Sequence, residues 1–274
     1  MAIREILLHL SDDKLARSRC EAAMTLAQDH EARVTGLYVT SEPYLPGYVR
    51  AHLTEDILKQ RRQQMTEVAG AVEKMFVDCA THSSVEHEWK MKEGDLRDHM
   101  DLQMPYMDMA VVSQIEPDVD PEDNPADIAA DLVMSGMRPV MVIPYVGTRP
   151  TIGKQIMLAW NGGREAIRAA SDAMPFLEKA DKVTVFSVNP EDKNTDPGTA
   201  YCDYLKHHGI NAESHYTVAE DIDVGDALLS AAFDKNIDMI VMGAYGHSRL
   251  REMALGGATR NLLEHMTVPV LMSH

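Results

Sequence analysis

The stretch DMIVMGAYGHSRLREMALGGATRNLLEHMTVPVLM, residues 238–272, joins two short apolar runs through a glycine-containing loop and an amphipathic segment. DMAVVSQIEPDVDPEDNPADIAADLVMSGMRPVMV, residues 108–142, aligns with it without a gap, at an offset of 130 residues (238 minus 108, and 272 minus 142). Upstream, EILLHLSDDKLARSRCEAAMTLA from Glu5 aligns with QIMLAWNGGREAIRAASDAMPFL from Gln155. The chain therefore contains an internal sequence repeat, with two similar halves.

Each half alternates short apolar runs with longer amphipathic segments. The apolar runs predict β-strands at 6–10, 34–39, 87–91, 108–112 and 140–143, with second-half counterparts that begin near Ile156, Val183, Glu213, Asp238 and Val270. Apolar residues at helical spacing predict helices at 14–30 and 164–179. Strands that alternate with helices form a parallel sheet covered on both faces, so we predict an α/β protein with two tandem five-stranded domains.

The boundary between the predicted domains lies in YVGTRPTIG, residues 145–153, which has two glycines, a proline and no apolar periodicity. We predict an N-terminal domain at 1–146 and a C-terminal domain at 151–274. The first has a long connection at 43–80, with a helix of about seven turns that starts near Thr54. The corresponding connection of the second domain is shorter.

Composition and charge restrict the classes of function. With 45% hydrophobic and 25% charged residues, the chain is typical of soluble globular proteins. Its formal net charge of −17 disfavours nucleic acid and anionic membranes as partners. The first apolar run is too short for a signal peptide and contains Arg4 and Glu5, so we expect a cytoplasmic protein. Cys20, Cys79 and Cys202 form no CxxC pattern and are predicted to be buried thiols.

Glycines mark a candidate anion site in the second half. Gly243 and Gly246 directly follow the fourth predicted strand, and a predicted helix begins near Gly256. Ligands of open α/β sheets bind at the carboxyl ends of strands. Glycines there let the backbone approach a ligand and adopt positive φ, and the unpaired first N–H groups of a helix favour an anion. The pattern predicts a phosphate site, to which Arg249 or Arg251 can add a charged contact.

The motif Gly-x2-Gly-x9-Gly, followed by a small or hydroxyl residue and closing with VPVLM, resembles the nucleotide-binding signature of the universal stress protein family. The resemblance covers both halves and implies two tandem Rossmann-like domains of the adenine nucleotide α-hydrolase-like type. It also implies ATP or a related adenine nucleotide as the ligand and a regulatory role in the stress response. The residues that it assigns to the nucleotide are Asn161, Gly162, Val188, Gly243, Gly246, His247, Arg249, Gly256, Gly257, Ala258 and Thr259. Among them, the N–H groups of 246, 247, 257 and 258 and the hydroxyl of 259 would hold phosphate, and 161 and 188 the nucleoside.

The second half departs from the family pattern at the turn after its first strand. Family members usually carry an acidic residue there, whereas this chain has Asn161, Gly162 and Gly163. Asparagine can hydrogen-bond adenine or ribose, but it supplies no carboxylate for ribose or a metal ion. Trp160 either packs in the fold or touches a bound base.

The first half departs further. Ser113, Glu116 and Ala126 occupy the positions of the three motif glycines, and the loop EPDVDPEDNPAD, residues 116–127, holds six carboxylates. Since like charges repel a triphosphate, we predict one nucleotide per chain, bound in the second half. The loop lacks the glycine of an EF-hand, so we predict a solvated loop and no metal site.

Three functions fit the sequence. The first is a nucleotide-binding regulator, and the second is a nucleotide-free protein that recruits a partner through surfaces such as 43–80. The third is a slow ATPase, which needs a water-activating base and a magnesium ligand that are not evident near the glycines.

The last strands of the two halves have similar apolar sequences. Strand 140–143 can pair with 270–272 within one molecule, which gives an intramolecular pseudo-dimer and covers two sheet edges. Further association into a homodimer is left open by the sequence.

Overall fold

The computed structural model describes residues 2–40, 55–115, 128–192, 195–244 and 257–274. Its strands within these ranges are β1 (Glu5–Leu10), β2 (Arg33–Thr40), β3 (His87–Glu93), β4 (Met109–Ser113), β5 (Val140–Ile143), β6 (Gln155–Ala159), β7 (Lys182–Val188), β8 (Ala212–Thr217), β9 (Met239–Gly243) and β10 (Val270–Ser273). They form one sheet in the order β3-β2-β1-β4-β5-β10-β9-β6-β7-β8.

The two halves of the sheet have the same strand order when each is followed outward from the β5–β10 pairing. Within each half, neighbouring strands are parallel, as the sequence predicts. The halves join where β5 pairs with β10 in antiparallel orientation, with Val270 opposite Val142 and Met272 opposite Val140. The predicted pairing of these two strands within one molecule is therefore confirmed, and neither strand is left as a sheet edge.

Strand burial follows position in the sheet. In central β1, the side chains of Ile6, Leu7 and Leu8 have no exposed surface, as expected for a parallel strand covered on both faces. The outer strands β3 and β8 are largely polar and only partly buried. Charged side chains on these outer strands disfavour pairing with another sheet.

Helices cover both faces of the sheet. They are α1 (Ala16–His30), α2 (Glu55–His82), α3 (Leu96–Gln103), α4 (Ile128–Ser135), α5 (Arg164–Asp172), α6 (Met174–Leu177), α7 (Thr199–His207), α8 (Val224–Asp234) and α9 (Gly257–His265). One apolar cluster contains residues of α1, α2, α5, α6 and α7, and the other contains residues of α3, α4, α8 and α9. Each cluster includes residues of both halves, so the core continues across the β5–β10 pairing. Among the described residues, no helix is both long and apolar enough to span a bilayer.

Two helix predictions are tested directly by the structure. The long helix of the first half is α2, which begins at Glu55 within the described residues. The single helix predicted at 164–179 is wrong, because α5 ends before Ala173 and a separate turn, α6, follows. Pro175 in the first turn of α6 has no N–H to donate to the preceding turn, which explains the break.

A repeated aspartate fixes the entry to the first strand of each half. The Asp108 carboxylate accepts hydrogen bonds from the N–H groups of Arg4 (2.7 Å) and Glu5 (3.0 Å). The buried Asp238 carboxylate accepts from the N–H groups of Gly153 (3.0 Å), Lys154 (3.1 Å) and Gln155 (2.9 Å) and from the Thr151 hydroxyl. The aligned Asp-Met pairs of the sequence are the signal of this shared role.

Two buried histidines make the stability of the fold sensitive to acid. Burial, with Arg19 nearby, lowers the pKa of His9 to about 3, and burial, with Lys179 nearby, lowers the pKa of His30 to about 4. Below pH 6.5 the unfolded chain binds protons at both positions that the folded chain does not, so stability falls as pH falls. At pH 5 we expect a loss of about 2 kcal/mol for each histidine. Calorimetry at pH 7.5 and 5.0 measures it.

The matched variant for this prediction is His30→Leu, which removes one of the two titrating groups. The variant should lose about half as much stability between the two pH values as the parent chain. A melting temperature that is equal at pH 7.5 and 5.0 would contradict the assignment of neutral buried histidines.

Candidate functional site

The carboxyl ends of β6, β7 and β9 meet at one edge of the second half. Ala159 of β6 lies between Phe186 of β7 and Met242 of β9. From β6 the chain continues to β7 on one side, and β9 lies on the other side, so the strand order reverses between β6 and β9. Such a reversal opens a crevice where α/β sheets bind ligands. The register brings Asn161, Val188 and Gly243 to this edge.

The turn after β6 is built by Asn161, Gly162 and Gly163. The Asn161 side-chain oxygen accepts a hydrogen bond from the Gly163 N–H (2.9 Å), and Gly162 has a φ of +71°. Asn161 is exposed. This bond occupies the side-chain oxygen of Asn161 and does not use its NH2 donor.

Gly243 does not have the positive φ that was predicted for glycines at this strand end. Its φ is not among the positive values of the described glycines, so left-handed backbone is not the reason for a glycine at this position. A Cβ on Gly243 would lie 2.3 Å from the carbonyl carbon of Glu165 and 2.5 Å from the nitrogen of Ala166. Gly243 therefore permits the first turn of α5 to pack against the end of β9.

The end of β7 is held by side chains on both sides. The Ser187 hydroxyl donates to the Trp160 carbonyl (2.8 Å), and Val188 is partly buried against the core. Asn189 exchanges two hydrogen bonds with the backbone of Ala219, at 2.7 and 3.2 Å. Trp160 stacks on Tyr201, with ring centroids 4.1 Å apart, which favours its packing role over contact with a base.

Helix α9 begins at the same edge with Gly257, Ala258 and Thr259. Gly257 is exposed, Ala258 is partly buried and Thr259 is 5% exposed. The first N–H groups of a helix have no acceptors within it and carry the positive end of its dipole. The other predicted phosphate-site residues, Gly246, His247, Arg249 and Gly256, lie outside the described residues, as does Arg251.

Asp223 adjoins the candidate site and was not predicted from the sequence. Its carboxylate caps α8 by accepting from the Gly225 N–H (2.7 Å). The other carboxylate oxygen lies 3.7 Å from the position that a Cβ on Gly257 would take. The preference for Asp before the apolar helical run 224–234 was the available signal for the cap. Nothing in the local sequence indicates that the cap also adjoins α9.

In the first half, an arginine fills the corresponding edge. Arg19 of α1 is 1% exposed and aligns with Ala169 of α5. Its Nε donates to the His9 carbonyl (2.7 Å), and Nη2 donates to Ser11 (2.9 Å) and Asp13 (3.1 Å). Nη1 donates to Ser113, which stands in the place of Gly243. The guanidinium thus ties the end of β1 to the end of β4.

Asp13 is held in its charged form by this network. Burial acts to raise the pKa of Asp13, but the Arg19 charge and hydrogen bonds from Ser11, Arg19 and the Leu15 N–H outweigh burial and lower that pKa. The acidic loop 116–127 lies outside the described residues, so its predicted solvation stays a prediction.

A cavity of about 310 Å³ also lies in the first half. Its walls include Asp12, the end of β2 at Tyr38 and Thr40, and Arg61 and Met65 of α2. Burial, then the charge of Asp12, raises the pKa of Tyr38, so its phenol is a protonated donor. This cavity lies in the half for which no nucleotide is predicted, which makes binding stoichiometry a decisive measurement.

Metal-binding residues are not clustered in the described ranges, where no group of three or more His, Cys, Asp or Glu side chains is arranged to hold an ion. The pair His207–His208 ends α7 instead. The His208 N–H bonds to carbonyls of the last turn, and Gly209 follows with a φ of +76°. Together these residues form a helix C-cap.

Parallel strands, an order reversal and a helix that starts at the strand ends define a doubly wound α/β domain. The family model for "Universal stress protein family" matches residues 169–274. The chain therefore carries a universal stress protein family domain in its second half. A universal stress protein of Synechocystis sp. is 39% identical over 46 residues, which are 17% of this chain and only 16% of that protein's length.

Solved structures share the fold of the whole chain. A universal stress protein from Archaeoglobus fulgidus matches with a TM-score of 0.76 at 14% identity, over 98% of this chain and 95% of that one. A putative universal stress protein from Pseudomonas aeruginosa matches with a TM-score of 0.62 at 16% identity, over 99% and 93%. Two further universal stress proteins align with about half of the chain at low TM-scores. One from Arabidopsis thaliana with AMP bound has a TM-score of 0.38 at 15% identity, over 52% of this chain and 91% of that one. One in complex with cAMP has a TM-score of 0.37 at 12% identity, over 53% and 98%.

Proposed function

We propose that this chain binds one adenine nucleotide, ATP, ADP or AMP, in its C-terminal half and acts as a cytoplasmic regulator in the stress response rather than through turnover. Residues 1–146 and 151–274 would be two tandem copies of the family domain, of which only the second keeps the site. The observation that carries the proposal is the meeting of three features at one edge: the turn 161–163, the end of β9 and the exposed start of α9.

Each part of the nucleotide has a matching set of partners at this edge. The N–H groups of Gly257 and Ala258 belong to the first turn of α9 and suit a phosphate. The Asn161 NH2 group, left by its turn hydrogen bond, suits an acceptor on adenine or ribose. Val188 at the end of β7 offers an apolar surface for the base.

Arg19 supports the expectation of a single site. The aligned position in the second half is Ala169, and the small residues of α5 let that helix reach Gly243. In the first half the same space holds a buried guanidinium whose bonds go to the ends of β1 and β4. A nucleotide in this position would have to displace those bonds.

Two substitutions at the start of α9 should change nucleotide affinity in opposite directions. Gly257→Val places a side chain over the first N–H groups and should weaken ATP binding at least tenfold, about 1.4 kcal/mol. Asp223→Asn keeps a capping side chain but removes a charge that opposes phosphate. It should tighten binding about fivefold at low salt, a gain of about 1 kcal/mol. Isothermal titration with ATP measures both affinities and the stoichiometry.

The fold should survive both changes. Among the residues that the structure describes, a Cβ on Gly257 meets only the Asp223 carboxylate, at an ordinary 3.7 Å, and Asn caps a helix about as well as Asp. Gly70→Val is the matched control, because no atom of the described ranges lies within 4 Å of a Cβ there. Equal affinities for parent and Gly257→Val would reject the site, and two nucleotides per chain would reject the single-site proposal.

A second candidate function is a nucleotide-free interaction protein. It is favoured by Gly243, whose lack of a side chain is explained by packing against α5 without any ligand. Under this alternative, partner capture from a lysate persists after complete removal of nucleotide. Mass spectrometry of small molecules that co-purify with the chain separates the two functions.

A further inference from the structure

Two thiols of the first half lie in one apolar cluster, on helices that pack against each other. Cys20 of α1 is fully buried and Cys79 of α2 is 9% exposed. Both belong to the apolar cluster between these helices, and Cys79 is one of the neighbours that raise the pKa of Cys20. The third thiol, Cys202 of α7, lies in the other half and is 2% exposed.

The surroundings of the two sulfurs differ. Arg17 Nη1 lies 4.0 Å from Cys79 Sγ, and Met75 Sδ lies 4.0 Å from the same atom. A guanidinium at that distance favours the negative charge that a sulfur carries when it attacks an oxidant. Burial, then Cys79, raises the pKa of Cys20, so Cys20 stays a thiol until its partner reacts. Cys79, which has the exposed surface and the cation, is the group that meets an oxidant first.

We propose that Cys20 and Cys79 are a reversible redox pair, which a peroxide oxidises to a disulfide that links α1 to α2. Cys79 attacks hydrogen peroxide, the O–O bond breaks, and Cys79 sulfenic acid and one water form. The Cys20 sulfur then attacks the Cys79 sulfur, the S–O bond breaks and a second water leaves. Two thiols have lost two electrons and two protons to the peroxide, and a dithiol reductant restores them by exchange.

The disulfide would restrain α2, the long helix of the first half, which has no counterpart of that length among the described residues of the second half. Helix α2 belongs to the long connection and forms one wall of the 310 Å³ cavity. A bond from α2 to α1 closes a long loop that contains β2, and closing such a loop restricts the unfolded chain. Oxidation should therefore raise the melting temperature of the first half, by roughly 10 °C if the bond forms without strain.

The test is peptide mapping of the intact chain. Reduced protein is treated with hydrogen peroxide, unfolded, alkylated and digested without reductant. We expect a linked peptide pair that contains Cys20 and Cys79, loss of the mass of two hydrogens, and full alkylation of Cys202. Dithiothreitol should restore three alkylated cysteines. Three alkylated cysteines after peroxide, a link to Cys202, or sulfinic acid at Cys79 without a link would each overturn the proposal.

Variants separate the pair from general thiol oxidation. Cys202→Ser is the matched control, because it also removes a buried thiol but should leave the crosslink intact. Cys20→Ser and Cys79→Ser should each abolish it, and the mapping of the parent chain stands even if one of them folds poorly. Arg17→Gln should slow crosslinking several-fold while Arg17→Lys retains the rate. Arg168→Gln, an exposed arginine of α5 paired with Asp172, should leave the rate unchanged.

Discussion

Gly243→Ala should destabilise the second half by about 3 kcal/mol, at the upper end of what overpacking costs. The added Cβ would fall 2.3 Å from the Glu165 carbonyl carbon, 2.5 Å from the Ala166 nitrogen and 2.6 Å from the Glu165 oxygen. All three are backbone atoms of α5, so no side chain can rotate away. The helix must move off the sheet or β9 must bend. Urea unfolding followed by fluorescence measures the change, since Trp160 lies beside the affected strands.

Gly70→Ala should stabilise the protein, whereas Gly243→Ala should destabilise it. Gly70 lies within α2 and is exposed, and a Cβ there would have no neighbour within 4 Å in the part of the chain that the structure describes. Alanine there lowers the entropy of the unfolded chain and should stabilise the first half by about 1 kcal/mol. A Gly243→Ala variant as stable as its parent would show that α5 is not held against β9.

Arg19→Met should destabilise the first half by roughly 3 kcal/mol, because breaking a buried ionic network leaves its partners without bonds. Methionine replaces much of the arginine's apolar volume, so the loss isolates the guanidinium. The His9 carbonyl and the hydroxyls of Ser11 and Ser113 lose their donor. Asp13, which is 41% exposed, can recover part of its loss from water, so the cost stays below that of a fully buried pair. Urea unfolding followed by the fluorescence of Trp89 reports on this half.

Arg17→Met is the matched control for Arg19→Met. Arg17 lies two residues earlier on the same helix, its side chain is 64% exposed, and it pairs with Glu21 at 3.6 Å. Exposed ion pairs contribute at most about 1 kcal/mol, so this variant should unfold close to its parent. If both variants lose the same stability, helix propensity rather than the buried network is responsible.

Most of the fold could be predicted from the internal repeat of the sequence. Strand positions, the parallel order and the β5–β10 pairing follow from two aligned halves, because apolar periodicity and short connections leave few arrangements. The break between α5 and α6 was missed since the apolar spacing continues through Pro175. The consequence of a proline depends on which turn it occupies, and periodicity does not report that.

The candidate site was less accessible from sequence. The motif located the strand end and the start of α9, but it did not distinguish a glycine needed by a ligand from one needed by a helix, as at Gly243. Asp223 comes close to Gly257 only through the packing of α8 on α9. A charged residue on an otherwise apolar helix face, aligned with Ala169 of the other half, was a sequence signal that Arg19 is unusual. The sequence does not show its partners, because they lie on separate strands. These are properties of tertiary contact that no local pattern encodes.

The antiparallel joint between β5 and β10 has a consequence for how the two halves can change. In a symmetric homodimer every substitution appears in both subunits, so a change that favours one subunit is imposed on the other. Here both sides are encoded separately, and an arginine can stand at position 19 while an alanine stands at its counterpart. The two halves can therefore differ at matched positions, because a substitution in one half is not imposed on the other.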